Sequence, residues 1–357
     1  MTLRTLILAA TLGLSGALLA GCSDNGNDTA ENDAANGRTA DNAASGETQT
    51  DAAEPVDLIF GTGGTSGSYY PIGGALKPIF EASDKVGRVQ VVSTGASVQN
   101  IQNIQDGLNH VAIVMSDVAY DAIHGENQFE GNKADIATLA GLYPNVVQIV
   151  ATEESGIEDV ADLAGKRVGV GKVGSGVEQS AKKVLESAGL SYDDLARVSH
   201  TGYADSVTEM SNGNLDAAFF TSGVPNSSIT GLMQTSDVTF VPVTGDVADK
   251  LLKAYPYYET YTIPAGTPER YDLDEAVNTV AIRNILIVPA SMPEDVAQEL
   301  TQRFDDYLNS DRISVGALKD IDPATMDQQL VVPLHPGAQA YYDSRDDADN
   351  TDDASDN

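Results

Sequence analysis

Short apolar runs alternate along this chain with stretches whose apolar residues recur every three or four positions. Val56–Phe60, Val89–Val92, Val111–Met115 and Val146–Ala151 read as strands. Ile72–Phe80 and Val98–Leu108 read as helices between them, and Val98, Ile101, Ile104 and Leu108 keep the spacing of one buried face. A second series follows: strand Arg167–Val170, helix Val177–Ala188, strand Val198–His200, helix Ala204–Asn212, strand Ala217–Phe220, then Val238–Val243. The chain closes with a long apolar strand, Val277–Val288, and a helix opening at Pro293. Glu294 and Asp295 fall in its first turn, where proline's fixed φ and acids beside the positive helix end are both favourable. This alternation predicts an α/β protein with largely parallel sheets covered by helices. About 290 residues, 56 to 344, carry the pattern, more than one core ordinarily holds, so two domains are expected.

Two segments break the pattern. Residues 1–22 read as an export signal: Arg4 is the positive start, Leu6 to Leu19 the apolar stretch, and Leu19-Ala20-Gly21-Cys22 the close. The apolar stretch is short and interrupted by Gly13 and Gly16, which makes it a poor membrane span. The closing tetrapeptide resembles the bacterial lipobox, and Cys22 is the single cysteine of 357 residues, so lipidation at Cys22 is expected. Buried acyl chains contribute about 0.8 kcal/mol per CH₂ and would tether the protein to a membrane without spanning it. Residues 23–55 hold no aromatic or branched apolar side chain and read as a disordered acidic linker; 345–357 has the same composition and the same reading.

Charge narrows the possible partners. The formal net charge is −33, and 39 acidic against 17 basic side chains fall on residues 56–344, so the excess covers the folded body. Nucleic-acid binding is excluded, because neutralising phosphates needs clustered Lys and Arg. Cation binding is one reading of such a surface; the favoured one is a solvated acidic exterior suited to high salt, a halophilic trait. At 1 M salt the Debye length is about 3 Å, so those acids would hardly repel an anionic ligand.

Candidate chemistry lies in five loops, each of small residues between a strand end and a helix start: Gly61–Tyr70, Ser93–Asn100, Ser116–Tyr120, Gly171–Glu178 and Thr221–Asn226. Ligands in open α/β sheets bind beyond the carboxyl ends of strands, where such loops converge. A helix N-terminus presents unpaired N–H groups and the positive end of a dipole, a cradle for a small anion. Gly169-Val170-Gly171-Lys172-Val173-Gly174 matches GxGxxG, yet Val198–Gly202 offers no acid to hold a ribose, which argues against a dinucleotide. No GxSxG, CxxC or HExxH occurs, so no enzyme activity, no cofactor and no metal is expected. The four histidines, His110, His124, His200 and His335, are scattered and read as structural. Asp117 either caps a helix or holds a pocket hydroxyl or amino group. Tyr69, inside the first loop, and Tyr143, at a strand end, are the tyrosines placed to meet a ligand.

From about Val56 to Ser344 the chain resembles the TAXI-type solute-binding proteins of tripartite ATP-independent periplasmic (TRAP) transporters. The likeness rests on GTGGTSGSYYPIGGAL, STGASVQNI, VMSDVAYDAIHG, DLAGKRVGVGKVGSG, LDAAFFTSGVPN, YTIPAGT and PLHPGAQAYY, in that order. It implies a type II periplasmic-binding-protein fold, two α/β lobes joined by a hinge with a ligand cleft between them. Lobe one would be 56–148 plus 256–344 and lobe two 149–255. The resemblance implies a protein outside the cytoplasm that captures a small organic anion, such as glutamate or 2-oxoglutarate, for an ion-gradient-driven permease, and the lipobox at Cys22 adds the expectation of a lipid anchor. Presentation of the anion to a membrane sensor kinase is the alternative. Gly64, Tyr69, Ser97, Ser116, Asp117 and Tyr143 would contact the ligand from lobe one, and Gly174, Ser175, Gly176, Ser222 and Gly223 from lobe two. The family usually has Gln where this chain has Met115, and Gly where it has Ala96.

Overall fold

The computed structural model describes residues 54–266 and 271–355, with side chains described as far as residue 347. The expected export signal, Cys22 and the linker up to residue 53 lie outside the described residues. Two groups of parallel strands flank a long antiparallel centre. On one side lie β1 (Val56–Gly61), β2 (Val86–Val92) and β3 (Val111–Met115); on the other, β5 (Arg167–Gly169), β6 (Arg197–Ser199) and β7 (Ala217–Ser222). The centre is β4 (Ile136–Thr152) and β10 (Val277–Pro289), each antiparallel to every strand it touches. The order is β2-β1-β3-β10-β4-β7-β5-β6, with β8 (Val238–Val241) on β4 and β9 (Tyr258–Ile263) on β10. This is an α/β architecture, and the expectation of largely parallel sheets is corrected to a mixed sheet.

The reason for the correction lies in β4. Its apolar tail, Val146–Ala151, stands out in the sequence, but the strand begins at Ile136 and passes through Pro144 and Asn145, which interrupt the apolar run. Up to Val146 it pairs with β10; from Val146 onward it pairs with β7. Proline is tolerated there because the register shifts: Arg283 faces Pro144 while Ile285 faces Gly141, so β4 carries one extra residue. The bulge turns Tyr143 and Asn145, two positions apart, to one face of the sheet.

Helices cover both faces. Ile72, Leu76 and Phe80 of α1 (Tyr69–Phe80) and Val296, Leu300 and Phe304 of α8 (Glu294–Leu308) keep the spacing of single buried faces. They pack with Phe60, Ile113, Leu139 and Leu286. A second core joins Ile101 of α2 (Ser97–Gln105), Val118 of α3 (Ser116–His124) and Val184 of α4 (Gly176–Ser187) to β4, β7 and β10. A third gathers Phe220, Ile229, Leu232 and Ile263 around α5 (Tyr203–Ser211) and α6 (Ser227–Met233). α7 (Gly245–Ala254), which buries Ala248 and Leu251, and β9 are not among the elements expected above.

The tail boundary also moves. The last helix, α9 (Pro336–Ser355), continues well into the stretch expected to be a disordered tail. Arg345 fixes its course, donating to Pro323 O at 3.0 Å, lying 3.6 Å from Asp305 and stacking on the Tyr342 ring. An arginine anchored by a buried acid and an aromatic face holds backbone that composition alone would leave unordered. Among the described residues no helix is long and apolar enough to cross a membrane.

Candidate functional site

The parallel strands of both groups end at a cleft of about 300 Å³. Around it stand the loops that follow β1, β2, β5 and β6, together with Met115 at the end of β3, Thr221 and Ser222 at the end of β7, and Tyr143 and Asn145 of β4. Four helices begin at this cleft: α1 after Ser68, α2 after Ala96, α4 after Ser175 and α5 after Gly202. The first N–H groups of each have no partner within their own helix. Each such end favours a negative charge by about 0.3–1 kcal/mol, more when partly buried.

Side-chain hydroxyls supplement the amides: Ser68, Ser93, Ser97, Ser175, Thr201, Thr221 and Ser222 all line the cleft. Several are held by the fold itself. Ser97 Oγ accepts from Met115 N at 3.1 Å, Ser175 Oγ from Glu178 N at 3.1 Å, and Ser222 Oγ from Gln148 Nε2 and Asn226 Nδ2, both at 3.0 Å. These bonds use oxygen lone pairs and leave the proton of Ser175 available to an acceptor, while the Ser97 hydroxyl also meets the Tyr69 phenol. Tyr69 donates to buried Asn284 Oδ1 at 2.5 Å, and Asn284 Nδ2 donates to Tyr143 O at 3.1 Å, so one amide fixes both the bulge and the first tyrosine. Burial, then the neighbouring Tyr143, raises the Tyr69 phenol; burial raises Tyr143 likewise. Both stay neutral and bring no negative charge to the cleft.

Three buried atoms here lack hydrogen bonds: the Tyr143 hydroxyl, which has Ser68 beside it, Asn145 Oδ1 and Thr221 Oγ1. An unsatisfied buried polar group costs about 1–3 kcal/mol. Three residues that carry such atoms line one cavity, which suits it to a polar guest. Its charged lining residues are Lys172 and Asp205, both exposed. An exposed charge contributes about 0–1 kcal/mol to a pair, so buried amides and hydroxyls outweigh Lys172. The lining has no histidine, cysteine or arginine.

Residues 60–344 match the NMT1-like family. This chain belongs to that family. Among solved structures, the NMT1-like chain is similar to the alkanesulfonate-binding protein SsuA from Xanthomonas axonopodis pv. citri bound to MOPS, at 16% identity over 82% of this chain and 84% of that one, TM-score 0.47. It is similar also to the periplasmic aliphatic sulphonate binding protein SsuA from Escherichia coli, at 16% identity over 82% and 88%, TM-score 0.45. A binding protein component of an ABC phosphonate transporter from Pseudomonas aeruginosa is 11% identical over 76% and 80%, TM-score 0.43.

The eleven expected contact residues divide. Gly64, Tyr69, Ser97, Tyr143, Ser175, Gly176 and Ser222 line the cleft of the NMT1-like chain. Gly223 stands just behind, where a Cβ would lie 3.2 Å from Tyr143 and 3.5 Å from Ser68. Gly174 shapes its loop instead, donating its N–H to Glu178 Oε2 at 2.8 Å. Ser116 and Asp117 do not line the cleft. β3 runs into α3 with no residue between Met115 and Ser116, so the helix carries both to another side. Asp117 there is fully buried and holds an amino group, that of Lys183, at 2.7 Å.

Asn145, hidden behind a proline, and the α5 end at Thr201–Tyr203 went unseen in the sequence. Only the glycine before Tyr203 could have signalled the latter. The histidines are occupied elsewhere: His110 Nδ1 accepts from Ile59 N, His335 Nδ1 from Gly337 N, His124 meets Tyr120 O, and His200 lies 3.2 Å from Glu178. Among the described residues no group of three or more His, Cys, Asp or Glu is placed to hold a metal.

Proposed function

We propose that this NMT1-like chain is a TAXI-type solute-binding lipoprotein that captures a small organic anion, glutamate, 2-oxoglutarate or a similar diacid, and delivers it to an ion-gradient-driven TRAP permease. The observation that carries the reading is the convergence of four helix N-termini with three unsatisfied buried polar atoms in one cleft. A carboxylate suits such a site. Charge-assisted hydrogen bonds contribute about 1.5–3 kcal/mol each, so amides and hydroxyls hold it without a guanidinium. Two lobes, 56–148 with 256–344 and 149–255, would close over the anion by bending where β4 and the Tyr255–Tyr258 segment pass between them. The export signal and a lipid on Cys22 would keep the protein at the outer face of a membrane or in the periplasm, beside its permease. The reaction class is capture and release, with no bond made or broken.

Calorimetry against glutamate, 2-oxoglutarate and longer diacids, with alkanesulfonates, phosphonates and methionine in parallel, tests the ligand class. Saturable heat with at least one diacid is expected. Silence from every diacid alongside binding of a sulfonate would replace the carboxylate reading. Tyr143→Phe removes only an unsatisfied hydroxyl, so affinity should fall about tenfold while the ligand-free melting temperature stays or rises.

A further inference from the structure

α4 presents two faces of opposite chemistry. Ala181, Val184 and Leu185 are fully buried with Val168, Phe219 and Leu251 in the second core. The other face, Gly176, Gln179, Ser180 and Lys183, follows the i, i+3, i+4, i+7 spacing of a helix stripe, and all four residues are buried. A buried stripe of that composition is unusual, since lysine is almost never buried unless paired.

Every member of the stripe meets a residue of the strand group that begins with β1, or of the segment that leads into β9. A Cβ on Gly176 would lie 2.2 Å from Met115 Sδ and 2.9 Å from Ser97 Oγ. Gln179 Oε1 accepts from Gln128 at 2.6 Å, and Ser180 Oγ from Tyr258 at 3.4 Å. Lys183 Nζ lies 2.7 Å from Asp117 Oδ2 and 3.7 Å from Asp121 Oδ2, donates to the Tyr257 hydroxyl at 3.4 Å, and stands 5.1 and 5.2 Å from the ring centres of Tyr255 and Tyr257. Asp117 Oδ1 and Asp121 Oδ2 accept no hydrogen bond, and beside the Asn127 side chain at Asp121 it is the Lys183 ammonium that compensates these two buried carboxylates. Burial alone would lower the Lys183 pKa; Asp117, Tyr258, Tyr257 and Asp121 together more than reverse that, which keeps the side chain charged.

We propose that Lys183 is a positioning residue for ligand capture: its insertion between Asp117, Asp121 and the tyrosines latches the polar stripe of α4, and so holds the α4 N-terminus over the cleft. This rests on the reading that two lobes close around the anion. A polar seam suits a surface that must part. Separated, its charges and amides regain water, whereas an apolar seam would have to expose hydrocarbon. Lys183 lies two helical turns from Gly176, about 10 Å along the axis. It therefore acts through the helix and does not touch the ligand.

Two variants test this, Lys183→Met and the neutral seam K183M/D117L/D121N, each measured by X-ray scattering without ligand and by affinity and release rate with glutamate and 2-oxoglutarate. K183M strands two buried carboxylates and should open the ligand-free protein to a larger radius of gyration, weakening affinity at least about tenfold. The neutral seam should regain wild-type compactness and release ligand more slowly than wild type, because it no longer parts readily in water. Folded K183M with wild-type radius and affinity within twofold overturns the latch, as does a neutral seam that releases ligand at the wild-type rate. Should K183M fail to fold, the neutral seam decides alone. Should wild type bind neither probe, the proposed function falls and the ligand-free radii still decide the latch: an opened K183M beside a compact neutral seam upholds it, and equal radii overturn it.

Discussion

α4 meets its surroundings at two places seven residues apart, and they solve the burial of polar groups in opposite ways. At Ser175 and Gly176 the helix faces neutral amides, hydroxyls and phenols, and three buried atoms of that wall are left without a partner. At Lys183 it faces full charges, and the cation sits between two acids and two aromatic rings. The difference teaches how to tell a binding surface from a closing one. Neutral polar atoms left unsatisfied in a cavity mark where something foreign belongs. A cation set between acids across a seam marks where the protein meets itself.

The contrast breaks most sharply at the point where the two regions touch. Gly176→Val puts a branched side chain where even a methyl would overlap Met115 and Ser97. Binding of the diacid found by calorimetry should fall at least about a hundredfold, while the ligand-free melting curve moves by no more than a few degrees. Loss of folding instead would mean that the contact belongs to the core and not to a closing surface.

Asp121 sharpens the seam. Its pKa is raised by burial and by Asp117, with Lys183 pulling the other way. A carboxyl that keeps its proton longer in the folded state adds stability that is complete at acid pH, below its unfolded value, and lost as pH rises through the raised folded value. Wild-type stability should therefore decline across that window, and Asp121→Asn should flatten the decline and raise the melting temperature at neutral pH by a few degrees. Denaturant midpoints measured across the window check the sign.

The smallest effect belongs to the cleft wall. Ala96 sits at φ 76°, ψ −143°, a region reserved for glycine, so its methyl stores about 1–3 kcal/mol. Ala96→Gly relieves this at an entropic cost of about 0.5–1 kcal/mol. A net gain of about 1 kcal/mol in unfolding free energy, with affinity changed less than threefold, is expected from paired denaturation and calorimetry.

The sequence was most legible where periodicity and glycine signals coincide. The α1 face, the α2 face as far as Ile104, the β1 and β3 runs and the loops around Gly64, Ser97 and Ser175 follow directly from local pattern; Leu108, expected on the α2 face, lies beyond the helix end at Gln105 and is 57% exposed. What stayed hidden depends on partners far along the chain. β4 could not be read through Pro144, because its pairing with β10 is made by residues more than a hundred positions away. Asp117 follows Met115 so closely that it read as a site residue, and only the α3 geometry and the reach of Lys183 take it elsewhere. Lys183 itself lies in a helix whose pattern gave no reason to bury it. The α9 extension rests on Arg345 finding Asp305.

The extra residue in β4 has a mechanical meaning. Tyr143 and Asn145 are mounted on the same few peptides at which the strand changes neighbours from β10 to β7. Any pivoting of one strand group against the other therefore swings both side chains at once. On the proposed function, the part that would feel the guest and the part that would flex are a single stretch of main chain.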